Sequence, residues 1–123
     1  MSETPDQFPE TSDSVGPETL AIRSLNDQLR TGFSGGRVVM TQGVNALAGQ
    51  TIAKVLRAVR DFDDFGEDND PYGTHEFGML DIEGNRVMFK IDAYDQNLEY
   101  GSPNPADPSV TTRVLTILLA SEY

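Results

Sequence analysis

Two extended runs, "HEFGMLDIE" and "RVMFKIDAYD", stand on either side of Gly84-Asn85, and this arrangement constrains the fold more than any other stretch of the chain. Glycine and asparagine tolerate the positive φ that primed two-residue turns demand, so the runs predict a tight β-hairpin. If Glu83 pairs with Arg86, Ile82 falls opposite Val87, Leu80 opposite Phe89, Gly78 opposite Ile91 and Glu76 opposite Ala93. That set is mostly apolar and is expected to face helices, because side chains alternate across a strand. The other face then pairs Asp81 with Met88, Met79 with Lys90, Phe77 with Asp92 and His75 with Tyr94. It is semi-polar and is expected to stay accessible.

Helical periodicity supplies the cover for the apolar face. Ile22, Leu25, Leu29 and Phe33 recur at helical spacing behind Pro17, which suits a first helical position. From Ala48 to Phe62 a second stripe of Ile52, Val55, Leu56, Val59 and Phe62 runs opposite Lys54, Arg57 and Arg60. Between them "GRVVMTQG", Gly36 to Gly43, is a β-branched run bracketed by glycines and reads as a strand. Asp107-Pro108 offers a cap and a proline start for a last helix running to about Ser121, with Val110, Val114, Ile117 and Leu118 as its stripe. The expected order is α-β-α-β-β-α: an α+β domain with a small, mostly antiparallel three-stranded sheet and helices packed on one face.

Charge divides the chain. Of the net −11, residues 1–16 carry −4, and residues 17–60 carry +4 from six bases against Glu18 and Asp27. Residues 61–107 carry −11, thirteen acids against Arg86 and Lys90, and the remainder is neutral. The first sixteen residues hold too few apolar groups to offset ordering entropy and are expected to form a flexible acidic tail, leaving residues 17–123 as one domain. A chain this acidic is a poor ligand for nucleic-acid backbones, whose binding depends on cations displacing counterions. Its amino terminus is acidic where a secretory signal is basic and then apolar, and its longest apolar run, Val114 to Ala120, is far short of a membrane span. With no cysteine, disulfides and thiolate chemistry are excluded. The expectation is a soluble cytoplasmic protein.

The acidic loop "DFDDFGEDNDPYG" invites comparison with a calcium-binding EF-hand loop, and fails it in both frames. Counting from Asp61 puts Phe65 and Tyr72 at ligand positions, and counting from Asp68 puts Tyr72 and Met79 there. An irregular divalent-cation site from Asp68, Asp70 and Asp92 is the remaining metal alternative, because one histidine without cysteine makes no transition-metal set. No cofactor motif is present: the Gly35-Gly36 pair lacks the Lys-Ser ending of a phosphate loop. As a loop, the segment reads economically. Asp68 or Asp70 accepts backbone N–H groups, Pro71 and Gly73 set the turn, Gly78 permits close approach, and Tyr72 and Phe77 anchor by burial.

Two functional expectations follow. The first is a non-enzymatic protein that binds or inhibits a basic partner, itself of the nucleic-acid-binding kind, through an acidic surface. Its contacts would be Phe77, Met79, Met88 and Lys90 on the accessible sheet face and Asp68, Asp70 and Tyr72 in the loop. The alternative is a small enzyme or ligand-binding domain centred on His75, Tyr94 and Asp92, with imidazole as base, carboxylate as its orienter and phenol as donor. A homodimer through the open face is a further arrangement.

The motifs "IRSLNDQLR", "GGRVVMTQGV", "DNDPYGTHEFG", "KIDAYD" and "NPADPSVTTRVLTILLASEY" together resemble the domain-of-unknown-function family numbered 3768, over about Ile22 to Tyr123. The resemblance implies a small, free-standing bacterial protein and brings no mechanism with it.

Overall fold

The computed structural model describes residues 15–123, so the acidic amino-terminal segment, its last two residues apart, lies outside the described residues. Helix α1 spans Pro17–Gly32, strand β1 Arg37–Met40, the short helix α2 Gln42–Asn45 and helix α3 Gly49–Asp61. The hairpin strands are β2, Phe77–Ile82, and β3, Asn85–Tyr94; strand β4 is Thr112–Leu119, flanked by 3₁₀ turns at Pro108–Val110 and Ala120–Glu122. The sheet is four-stranded, in the order β1-β4-β3-β2, with β1 parallel to β4 and the other pairs antiparallel. The α+β class stands. The three-stranded sheet does not, because the segment expected as a last helix is β4, a central strand.

The reason lies in which neighbours β4 has. Asp107 does cap: its carboxylate accepts from the Ser109 amide at 2.9 Å, and Pro108 follows at the first position. Only one 3₁₀ turn forms, because Val110, Thr111, Thr112, Val114, Thr116 and Ile117 are β-branched and lose side-chain freedom in a helix. Alternate residues Arg113, Leu115 and Ile117 are buried under the helices, and Leu118 is buried on the opposite face. A strand paired on both edges and apolar on both faces presents the broad apolar surface that also marks a core helix.

The hairpin forms one pair out of the expected register. Glu83 and Gly84 are the two turn residues, with φ of 51° and 83°, and Ile82 pairs with Asn85, Leu80 with Val87 and Gly78 with Phe89. Glu83 takes up its left-handed backbone while its carboxylate is held by Thr51 at 2.7 Å and Lys54 at 2.5 Å on α3. The paired numbers shift by two in sum, so each residue keeps its face. Val87, Phe89, Ile91, Leu115 and Ile117 join Leu29 of α1, Val44 of α2 and Val55 and Val59 of α3 in one buried cluster.

Close approach at Gly78 completes this packing. A Cβ on Gly78 would run into the Phe89 ring and stand 2.8 Å from the Phe62 ring. Gly78→Ala is therefore expected to cost about 1–3 kcal/mol in urea denaturation, through overpacking of the aromatic cluster. At the far end, Glu122 accepts from Thr41 at 2.6 Å, Leu119 N at 2.8 Å and Gly43 N at 2.9 Å, tying the chain end to the β1–α2 turn. These bonds, the Thr41 hydroxyl first, hold the Glu122 carboxyl below its ordinary value of 4.5. A depressed carboxyl stabilises the fold above that ordinary value, and the contribution is lost as pH falls through the folded one. Glu122→Gln should lower the melting temperature at pH 7, and the gap from wild type should close as acidification passes below 4.5 and through the lowered folded value, as thermal scans across pH will show.

Candidate functional site

Helix α1 places Arg23, Asn26, Asp27 and Arg30 at the i, i+3, i+4, i+7 spacing of one helix face. Beside them Leu29 is its only fully buried apolar residue, and Asn26 and Arg30 are themselves 3% and 4% exposed. Arg30 Nη1 donates to the carbonyls of Val59, Arg60 and Phe62 at 3.1, 3.2 and 2.7 Å, so a cation closes the C-terminus of α3 where orphan carbonyls concentrate negative charge. Its Nη2 donates to Asp27 at 3.0 Å, and its guanidinium lies over the Phe65 and Phe89 rings at 5.2 and 5.7 Å. Asn26 donates to Thr74 O at 2.9 Å and accepts from Arg113 Nε at 2.7 Å, while Arg113 also donates to Pro105 O. Burial lowers the Arg113 pKa. Arg23 donates to Gly73 O at 2.7 Å. One polar helix face thus fastens both the 62–76 and the 95–111 loops.

The first of these loops is rigid for identifiable reasons. Asn69 accepts from Gly66 N and donates to Asp64 O, both at 2.8 Å, and Asp70 accepts from the His75 amide at 3.0 Å. Gly73 has φ +73°, and His75 itself sits at φ +57°, a conformation non-glycine residues seldom adopt. Phe65 anchors the loop: it meets Phe62 edge-on at 5.0 Å and stacks on the His75 ring at 3.9 Å and 5°. Tyr72, expected as an anchor, is 75% exposed, and Phe77 is half-buried.

His75, Tyr94 and Asp92 are not brought together. His75 precedes β2 and its positive φ turns it out of the strand direction. Its Nδ1 lies 2.9 and 3.1 Å from the Asp27 carboxylate, on the helix side of the sheet. Tyr94 and Asp92 alternate onto the opposite side, where Tyr94 pairs with Thr112 and Asp92 accepts from Lys90 at 2.8 Å. That ion pair, the hydrogen bond above all, raises the Lys90 pKa. Of the expected contact residues on this face, Met79 is 41% exposed, and Met88, paired with Met79 and Leu118, is 3% exposed and unavailable to a partner. Asp68 is exposed, and Asp70 is turned inward. Among the described residues no group of three or more His, Asp or Glu side chains is placed to hold a metal ion. Among them, too, no helix is long and apolar enough to cross a membrane.

The sheet directions bring the two loops to one end of the molecule. The 62–76 loop enters β2, and the 95–111 loop joins β3 to β4 at the edge where β2 and β4 begin. The first carries Asp63, Asp64, Glu67, Asp68, Asp70 and Glu76; the second carries Asp95, Glu99 and Asp107; neither has a lysine or arginine. This end therefore bears nine carboxylates. The lysine and arginine ion pairs among the described residues, Asp27–Arg30, Glu83–Lys54, Asp81–Arg86 and Asp92–Lys90, use none of them.

The polar α1 face was missed because Arg23, Asn26, Asp27 and Arg30 look like a solvated face. The available signal was the thinness of the apolar stripe beside it.

These features define a small α+β domain: helices over one face of a mixed four-stranded sheet, with an acidic loop end. A family model, "Protein of unknown function (DUF3768)", matches residues 40–122, from the end of β1 through β4. The chain belongs to this family. No curated protein matches it, and no solved structure does.

Removing the Arg30 guanidinium takes a donor from the carbonyls of Val59, Arg60 and Phe62 and leaves the Asp27 carboxylate to His75 Nδ1. Arg30→Met is expected to cost about 2–4 kcal/mol in urea denaturation. A loss below about 0.5 kcal/mol, the range of ordinary surface substitutions, would show that water replaces the cap at little cost.

Proposed function

We propose that this domain is a non-enzymatic interaction protein that binds or inhibits a basic protein partner, a nucleic-acid-binding protein being the class that carries such a surface. The observation that supports it is the gathering of nine carboxylates at one end of the sheet, with no lysine or arginine paired to them among the described residues. Charge left unneutralised raises the association rate for an oppositely charged surface, and apolar contacts then retain it. Met79 and the half-buried Phe77, on the edge strand β2 that leads out of the acidic loop, add apolar surface beside the exposed Tyr72, Leu98 and Tyr100 of the two loops. The dispersal of His75, Tyr94 and Asp92 removes the sequence basis for an enzymatic alternative centred on them.

Amide replacement at Asp63, Asp64, Glu67 and Asp68 tests the electrostatic half, and Phe77→Ala/Met79→Ala the apolar half. A basic partner captured at low salt by the wild type should bind the amide variant with an association rate lower by about tenfold or more. It should dissociate faster from the alanine variant. Surface-resonance kinetics that come out alike for all three proteins, and insensitive to salt, would sink the proposal.

A further inference from the structure

With the His75 ring neutral, the cleft beside it holds two acceptors side by side, Nε2 and Asp70 Oδ2. Asp27 engages Nδ1 at 2.9 and 3.1 Å, which in the neutral ring places the proton on Nδ1 and leaves Nε2 a lone-pair acceptor. Nε2 stands 3.8 Å from Asp70 Oδ2, beyond hydrogen-bond reach. The Asp70 side chain is only 6% exposed. Its Oδ1 is used by the His75 amide at 3.0 Å, and Oδ2 takes no hydrogen bond among the described residues. Asp70 and His75 both line the cleft, so a donor entering it from solvent meets Oδ2 and Nε2 together.

We propose that this pair of acceptors takes a lysine ammonium of the basic partner from the cleft side, an inference that rests on the reading of the domain as an acidic interaction protein. An ammonium is compact and carries three rotatable donors, enough to serve Nε2 and Oδ2 at once. The cleft, about 480 Å³, is walled by Phe65 and Tyr72, with Glu67 at its lip. The exposed Tyr72 ring offers apolar surface to a lysine stem. Arg23 also lines the cleft, fixed to Gly73 O, so that Glu67 and Asp70 against Arg23 leave a charge of −1 for one incoming cation.

Asp70→Asn isolates the acceptor pair from the acidic surface. The asparagine oxygen still accepts from the His75 amide, while its NH₂ donates to Nε2 and satisfies it internally. Asp68→Asn makes the same charge change on the exposed neighbour. With an octalysine peptide as probe, calorimetry on the full chain at low salt should show Asp70→Asn weakening binding about tenfold, the scale of one charge-assisted hydrogen bond. Asp68→Asn should weaken it less than about twofold, as one screened surface charge. The His75 Nε2 resonance of the wild type should move as the peptide is added. Equal weakening by the two variants, or an unmoved Nε2 resonance, overturns the ammonium site and leaves the acidic-surface reading intact. Absence of any octalysine binding by the wild type overturns both.

Discussion

Arg30 holds together parts of the chain that share no backbone pairing. Its guanidinium reaches the last carbonyls of α3, the Asp27 carboxylate of its own helix and the faces of Phe65 and Phe89. Helix α3 is thereby closed where its dipole concentrates negative charge, and Asp27 is oriented to take Nδ1 of His75. The His75 ring then provides the flat surface on which Phe65 stacks. Phe65 in turn fixes the acidic loop to the aromatic cluster around Phe62 and Phe89. Burying a charge at 4% exposure is tolerable only because its two terminal nitrogens are served; Nε, left without a partner, is the residual cost.

The sequence was readable where one periodicity excluded the other. Helices α1 and α3 fall within two residues of their expected limits, because their apolar stripes repeat at helical spacing and nothing in them alternates at two. The hairpin faces were legible for the same reason, since parity survives a slip of one pair. Its register was not, because Glu83 takes a left-handed turn position while Thr51 and Lys54 hold its carboxylate, and both lie on another element. Strand β4 was misread because burial on both faces erases the alternation by which a strand is known.

The candidate site was less legible than the fold, and the residues show why. As the first residue of the extended run "HEFGMLDIE", His75 falls across from Tyr94 in the sequence register. Its positive φ, fixed by the bond from its amide to Asp70, sends the ring to the helix side and onto Asp27. Asp27 is 48 positions away along the chain, and no spacing rule connects the two. A buried polar face on α1 is equally invisible to amphipathicity, which assigns polar residues to water.

Nine carboxylates at one end repel one another, and a loop that balanced them with its own lysines would be cheaper to fold. The acidic loop is instead held by groups that leave its exposed charges unspent: Asn69 closes its turn, Asn26 takes Thr74 O, and Arg23 takes Gly73 O. The bases that enter this network bond backbone carbonyls, Asn26 or Asp27, and none of the nine loop carboxylates. Rigidity is thus obtained without neutralisation, so the negative field persists in a fixed geometry. A fixed field loses less entropy on meeting a cationic surface than a flexible acidic tail does, because its ordering cost was met during folding. That distinction bears on the proposed partner: a surface of this kind selects for the placement of cations as well as for their number.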